Sequence, residues 1–198
     1  PIVTLAMTGA SGAQYGLRLL ECLLESGSQV YFLMSQTAQL VIHTETDWAM
    51  PAKPKAIQDF LCDRFKVVKE QIQVFGQAEW TAPVASGSHQ SQAMVVCPCT
   101  TGSLANIATG TSRNLLDRAA DVMIKEQRKL ILVLRETPLS VIHIRNMLQL
   151  AQQGVLILPA NPGFYNGAKT IQDLIDFVVA RILDHLQLPH QLQPRWGQ

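Results

Sequence analysis

The sequence predicts the α/β class: a single domain over residues 1–198, built on an open parallel sheet with helices on both faces. Short β-branched runs alternate with longer stretches of helical periodicity, the pattern of parallel strands joined by crossover helices. The longest apolar runs, residues 130–134 and 155–158, are strand-length, and a chain of 198 residues suits one domain with one core.

In chain order, strands are expected near residues 2–7, 29–34, 94–97, 129–134 and 155–158. A helix over 13–26 ends at Gly27 and another over 140–153 ends at Gly154, each glycine in the expected C-terminal position. The last helix is the clearest, because Ile171, Leu174, Ile175, Val178, Val179, Ile182, Leu183 and Leu186 recur at helical spacing and form one wide apolar face. Residues 45–91 are less regular. They carry Pro51, Pro54, Pro83 and a Ser86-Gly87-Ser88 cluster around one candidate helix at 55–62, and read as an insertion crossing the edge of the sheet. The tail, residues 188–198 with Pro189 and Pro194, is expected to leave the body and pack on a neighbouring subunit or face solvent.

Composition excludes several classes. With 47% hydrophobic residues, 16% charged and a formal net charge of +1, the chain is a well-packed globule with no basic footprint for nucleic acid. No run reaches the roughly 20 apolar residues of a membrane helix. The chain opens directly on a strand-like run with no secretory leader pattern, so a cytoplasmic location is expected; the absent initiator methionine points to missing N-terminal residues. Cys22, Cys62, Cys97 and Cys99 match no zinc-cage or disulfide spacing and read as reduced thiols. Cys97 and Cys99 flank Pro98 at a strand end, which leaves a redox or nucleophilic role as the minor alternative. His43, His89 and His143 do not converge at metal-ligand spacing, and no metal is expected.

The first strand ends in Thr8-Gly9-Ala10-Ser11-Gly12 and runs into a helix, where open α/β sheets gather ligands. Glycines there admit a phosphate or ring to the backbone, and the helix start offers amide donors. The spacing Gly9, Gly12, Gly16 is not the dinucleotide fingerprint, and Ser35 stands where an acidic residue would hold an adenosine ribose. No glycine-lysine-serine/threonine follows, so a P-loop is excluded as well. A tight strand-to-helix turn explains the glycines equally well, and both readings stay open on this motif alone. A second loop, Pro98 to Ser103, places the hydroxyls of Thr100, Thr101 and Ser103 beside Gly102 at a helix start. A simple cap uses one hydroxyl, so three suggest an anion such as a nucleotide phosphate.

At these residues the sequence resembles the UbiX and Pad family of flavin prenyltransferases. The likeness runs almost end to end through Met7-Thr8-Gly9-Ala10-Ser11-Gly12, Ala85-Ser86-Gly87-Ser88, Cys97-Pro98-Cys99-Thr100-Thr101-Gly102, the stretch from Asn114 to Val122, Arg135-Glu136-Thr137-Pro138-Leu139 and Pro162-Gly163-Phe164-Tyr165. The resemblance implies a Rossmann-like, FMN-binding flavoprotein domain assembled as a dodecamer, with active sites at subunit contacts. It implies reduced FMN as acceptor and dimethylallyl phosphate as donor, and a prenylated FMN product that serves a UbiD-type decarboxylase in ubiquinone or aromatic-acid metabolism. By the same likeness Gly9, Ala10, Ser11, Ser35, Thr100, Thr101, Gly102, Ser103 and Arg135 hold FMN, while Tyr165 and Arg181, helped by Lys125 and Arg118 and shared between subunits, bind the prenyl phosphate. Two departures stand out: many relatives have serine at Thr100, which keeps the hydroxyl, and Arg145 replaces a common acidic residue outside the matched site.

The chemistry suits these residues. Breaking an allylic C–O bond creates a delocalised cation and a departing phosphate, which call for a cationic clamp, a dry aromatic wall and a proton shuttle. No aspartate-rich magnesium run is present, so Lys125, Arg135 and Arg181 stand in for a metal. Glu136, directly after a strand, is assigned proton transfer, and Ser11 a proton relay near flavin N5. Trp80 offers an indole face to the allyl cation, with Glu45 a weaker candidate for the same pocket. Each residue has a plain structural alternative: an arginine partner for Glu136, a turn cap for Ser11, packing for Trp80, a snorkelling surface side chain for Arg181 and a loop anchor for Tyr165. Two rival activities share the scaffold: a flavin-dependent cysteine decarboxylase, for which Asn146-Met147 is the nearest segment, and a non-catalytic FMN carrier.

Overall fold

The alternating runs fold into one open sheet flanked by helices, in a computed structural model that describes residues 1–195 and Gly197. The strands are β1 (Ile2–Met7), β2 (Gln29–Met34), β3 (Ile72–Phe75), β4 (Ala93–Cys99), β5 (Lys129–Leu134) and β6 (Leu156–Ile157). The helices are α1 (Ala13–Glu25), α2 (Gln36–Glu45), α3 (Pro54–Phe65), α4 (Thr101–Ala108), α5 (Leu115–Lys125), α6 (Val141–Gln152) and α7 (Ile171–Leu186), with a short 3₁₀ turn at Pro83–Ala85. Every pairing is parallel, in the order β3-β2-β1-β4-β5-β6.

Side-chain alternation along the strands sends residues into two separate cores. Val3, Leu5, Met7, Val30, Phe32, Ile131 and Val133 pack with residues of α1, α3 and α7 on one face. Ala6, Leu33, Met94, Val96, Leu130 and Leu132 pack with α4 and α5 on the other. In β4 the register shifts between Val96 and Cys99, so the parity flips. Cys97 joins the first core and Cys99 the second, and the chain leaves the strand toward the face that α4 covers.

Three of the expected strands have the bounds the pattern gave them; β4 runs two residues further, to Cys99, and β6 is shorter, at two residues. The segment read as an insertion is instead a regular part of the sheet. It carries α3 and the edge strand β3, whose four residues bury only Ile72 and Val74. A half-polar strand of one edge carries little signal in the sequence. The tail also differs from expectation among the described residues. Gln187 turns the chain back in the left-handed conformation (φ 59°), Leu188 and Leu192 pack against the first core, and His190 bonds Asp184 at 3.0 Å. Trp196 and Gln198 lie outside the described residues.

Two contacts bring the centre of the sheet together. Helix α1 presses on β1 and β4 through Gly16, where a Cβ would stand 2.3 Å from the Cys97 carbonyl oxygen. The buried Thr8 hydroxyl donates to the Pro98 carbonyl at 2.8 Å and accepts from the Thr100 amide at 2.9 Å, locking the end of β1 to the end of β4. Thr8→Val removes both bonds and leaves the Thr100 amide without its acceptor. Urea unfolding should show a loss of about 1–3 kcal/mol, with near-native far-UV circular dichroism before the transition.

Candidate active site

The strand order reverses at β1 and β4, so α1 and α4 depart to opposite faces and open a crevice at the carboxyl edge, the usual ligand position in such sheets. The turn after β1 enters α1 through Gly12, at φ 105°, a conformation that side-chain-bearing residues avoid. Gly9 lies flush against α2: a Cβ there would fall 2.4 Å from the Thr37 side chain. Ala10 is buried and Ser11 exposed.

Unlike α2, α4, α5, α6 and α7, helix α1 has no capping side chain of its own. Its first amides are taken by Glu45, the last residue of α2. The Glu45 carboxylate accepts from the Gly12 amide at 2.8 Å and the Ala13 amide at 3.0 Å, and the Ser11 hydroxyl donates to its other oxygen. A carboxylate at a helix start is favoured by both the unpaired donors and the dipole.

Ser11, Gly12, Gln14, Tyr15, Glu45, Arg135, Ala160, Ile171 and Ile175 line a cavity of about 480 Å³ beside this turn. That volume falls in the range of roughly 300–1,000 Å³ seen for small-molecule sites. Tyr15 is partly buried, which raises its phenol pKa; the Cys97 side raises it further, and Arg135 opposes the rise. Arg135 and Glu136 emerge exposed from the end of β5, with the Glu136 carboxylate accepting from the Thr137 amide at 3.0 Å. The other predicted hydroxyls sit at helix starts nearby. Ser35 caps α2 and meets Thr37 at 2.9 Å, and Thr100 caps α4 and donates to Ser103 at 3.0 Å. Thr101 and Gly102 form the first turn of α4.

The remaining candidates are not gathered here by one chain. Tyr165 and Arg181 share a second concavity of about 340 Å³ with Asp184, His190 and Arg195. The Tyr165 ring meets Phe177 edge-on at 5.6 Å, and Arg181 pairs with Asp184 at 2.7 Å. Lys125 ends α5, just ahead of Lys129, which opens β5 beside Ala93 at the amino edge of the sheet. There it pairs with Glu126. Arg118 donates to the Ala85 carbonyl at 3.1 Å and pairs with Asp121 at 2.7 Å. Trp80, half-exposed in the turn after β3, does not line the first cavity.

Sequence reasoning missed Tyr15, Thr37 and Ile175, and gave Thr8, though part of the glycine turn, no role of its own. Tyr15 follows the glycine turn and Thr37 lies two residues after Ser35, so proximity in sequence was their only signal; Ile175 looked like one more residue of an apolar stripe. The buried thiols lose their alternative role. Cys97 and Cys99 face opposite sides of the sheet, and burial drives both thiol pKa values up, that of Cys99 to about 12. Among the described residues no group of three or more His, Cys, Asp or Glu side chains could hold a metal ion, and no helix is long and apolar enough to cross a membrane. Glu45→Ala should strip α1 of its cap. Chemical denaturation should then record a loss of about 0.5–2 kcal/mol, and an unchanged midpoint would refute the capping role.

Comparison with known proteins places this geometry. The Flavoprotein family model matches residues 1–183. The flavin prenyltransferase UbiX of Pseudomonas aeruginosa is 58% identical over 196 residues, covering 99% of this chain and 94% of that protein. The crystal structure of AnUbiX in complex with FMN and dimethylallyl pyrophosphate superposes with a TM-score of 0.88 at 38% identity, covering 100% of this chain and 97% of the other. A dodecameric FMN-dependent UbiX-like decarboxylase from Escherichia coli O157:H7 superposes with a TM-score of 0.87 at 37% identity, with both chains covered in full at 100%. The chain is therefore a member of the Flavoprotein family and, within it, of the UbiX flavin prenyltransferases.

Proposed function

We propose that this chain binds reduced FMN in the carboxyl-edge cavity and joins to it the dimethylallyl group of dimethylallyl phosphate. The observation that carries this reading is the meeting of Ser11, Glu45 and Arg135 around one cavity of about 480 Å³ at the β1/β4 crevice. The surroundings fit a flavin nucleotide. Gly9 lets the turn after β1 lie flush against the start of α2, and the starts of α2 and α4 gather the hydroxyls of Ser35, Thr37, Thr100 and Ser103 where helix starts favour an anion. In this reading Gly9, Ala10, Ser11, Ser35, Thr100, Thr101, Gly102, Ser103 and Arg135 hold FMN.

Reduced FMN, when bound, supplies the N5 and C6 atoms that accept the dimethylallyl group. The protein's own residues handle charge and protons. The Ser11 hydroxyl donates to Glu45, so its oxygen is oriented to take up a proton while passing its own to the carboxylate. Glu45 is fixed for this by the two α1 amides. Glu136, next in sequence to the cavity-lining Arg135, transfers a second proton. Arg181 and Tyr165 receive the departing phosphate, Trp80 walls the allyl cation, and Lys125 and Arg118 are supplied by a neighbouring copy.

Assembly into a dodecamer supports that last assignment. Helix α6 and the residue before its cap expose an apolar row, Leu139, Val141, Ile142, Ile144 and Leu148, that only another surface would cover, and the related E. coli protein is dodecameric. The domain acts as one FMN-binding unit over residues 1–198, in the cytoplasm, and its prenylated FMN serves a UbiD-type decarboxylase.

Anaerobic incubation with reduced FMN and dimethylallyl phosphate should yield extracted flavin heavier by one C5H8 unit. Recovery of ordinary flavin would instead mark a carrier, and release of carbon dioxide from cysteinyl substrates would mark a decarboxylase. Glu136→Gln should lower turnover by about 10²–10⁴-fold while FMN binding, read by flavin fluorescence, stays at the parent level.

A further inference from the structure

Asp184 lies on the last turn of α7 and organises one end of the second concavity. One carboxylate oxygen pairs with the Arg181 guanidinium at 2.7 Å. The other receives the His190 ring at 3.0 Å and faces Arg195 at 3.6 Å, both from the segment that follows α7. The Asp184 side chain is 24% exposed and that of His190 only 9%, whereas Arg181 is 51% exposed. Asp184 and His190 are therefore the inner pair of the cluster, and Arg181 and Arg195, the latter 65% exposed, are the outer groups they hold. The second His190 nitrogen is buried with no partner among the described residues, so the ring spends its one hydrogen bond on Asp184.

From this arrangement we propose that Asp184 is a positioning residue for the phosphate: held by His190, it aims the Arg181 guanidinium into the concavity beside Tyr165. The inference rests on the reading of Arg181 as a phosphate ligand. Two physical points support it. A guanidinium has five N–H donors, so a single bond to Asp184 restrains the long side chain and leaves donors for a phosphate. Arg195 offsets the carboxylate charge, so the cluster of Arg181, Asp184 and Arg195 keeps a net positive charge toward an anion. Partial burial pushes the Asp184 carboxyl up, but the His190 bond and the charges of His190, Arg181 and Arg195 outweigh it and hold the group below the usual carboxylate range. It is the ionised form that does the holding.

The test is steady-state kinetics with reduced FMN and dimethylallyl phosphate, together with titration of inorganic phosphate into the FMN-loaded enzyme. Asp184→Asn should raise KM for dimethylallyl phosphate and Kd for phosphate about tenfold, with kcat within about twofold of the parent and the melting temperature unchanged. His190→Gln, which keeps a donor toward Asp184, should stay close to the parent, while His190→Leu should move KM in the same direction as Asp184→Asn. Phosphate binding that is unchanged or tighter in Asp184→Asn would overturn the proposal, because the carboxylate would then compete with phosphate for Arg181. Arg181→Met separates the two levels. If it weakens phosphate binding while Asp184→Asn does not, only the positioning role fails; if it leaves KM unaltered, the phosphate reading of Arg181 falls and takes the positioning role with it.

Discussion

A buried hydroxyl extends the β1–β4 pairing to the strand ends, where the site needs the two halves of the sheet held together. Thr8 reaches from the end of β1 to the Pro98 carbonyl and the Thr100 amide, at the point where the strand order reverses. The Thr8 amide also donates to the Pro98 carbonyl at 3.2 Å, so backbone and side chain together join the glycine turn that leads to α1 and the hydroxyl loop that leads to α4 at one joint. With it, both helix starts are aimed from fixed positions, and a crevice becomes a cavity.

Helix starts need acceptors, and the way this chain supplies them separates its two halves. Most helices are capped by their own Ser, Thr or Asn, which closes them locally. Helix α1 is capped from a distance by Glu45, which couples the first glycine turn to the end of α2 and fixes Ser11 in the process. The same carboxylate satisfies a structural demand and orients a hydroxyl at the cavity wall. Structural and chemical roles need not be alternatives for such a residue.

The cations tell a different story. Arg118, Lys125 and Arg181 each pair with a carboxylate close in sequence, Asp121, Glu126 and Asp184, and none of the three lines the main cavity. Each is held by that carboxylate where it stands, and Arg181 shares its partner Asp184 with Arg195, so that cluster stays net positive. Arg181 shares its concavity with Tyr165, whereas Arg118 and Lys125 lie on α5 outside both it and the main cavity.

The periodic elements were legible in the sequence because their signal is local. The apolar runs of β1, β2 and β5 and the long stripe of α7 repeat over enough residues to reveal period and extent, and glycine punctuates α1 and α6. The glycine turn and the hydroxyl loop could be named for the same reason, since each lies within a few consecutive residues. Tertiary structure alone decided the rest. It made residues 72–75 an edge strand, brought Glu45 to Ser11 across 34 positions, put Cys97 and Cys99 on opposite faces through one register shift, and tied His190 to Asp184. Residue type makes such pairs complementary but does not choose among many possible partners, and only the packing of α-helices against a twisted sheet sets which of them meet.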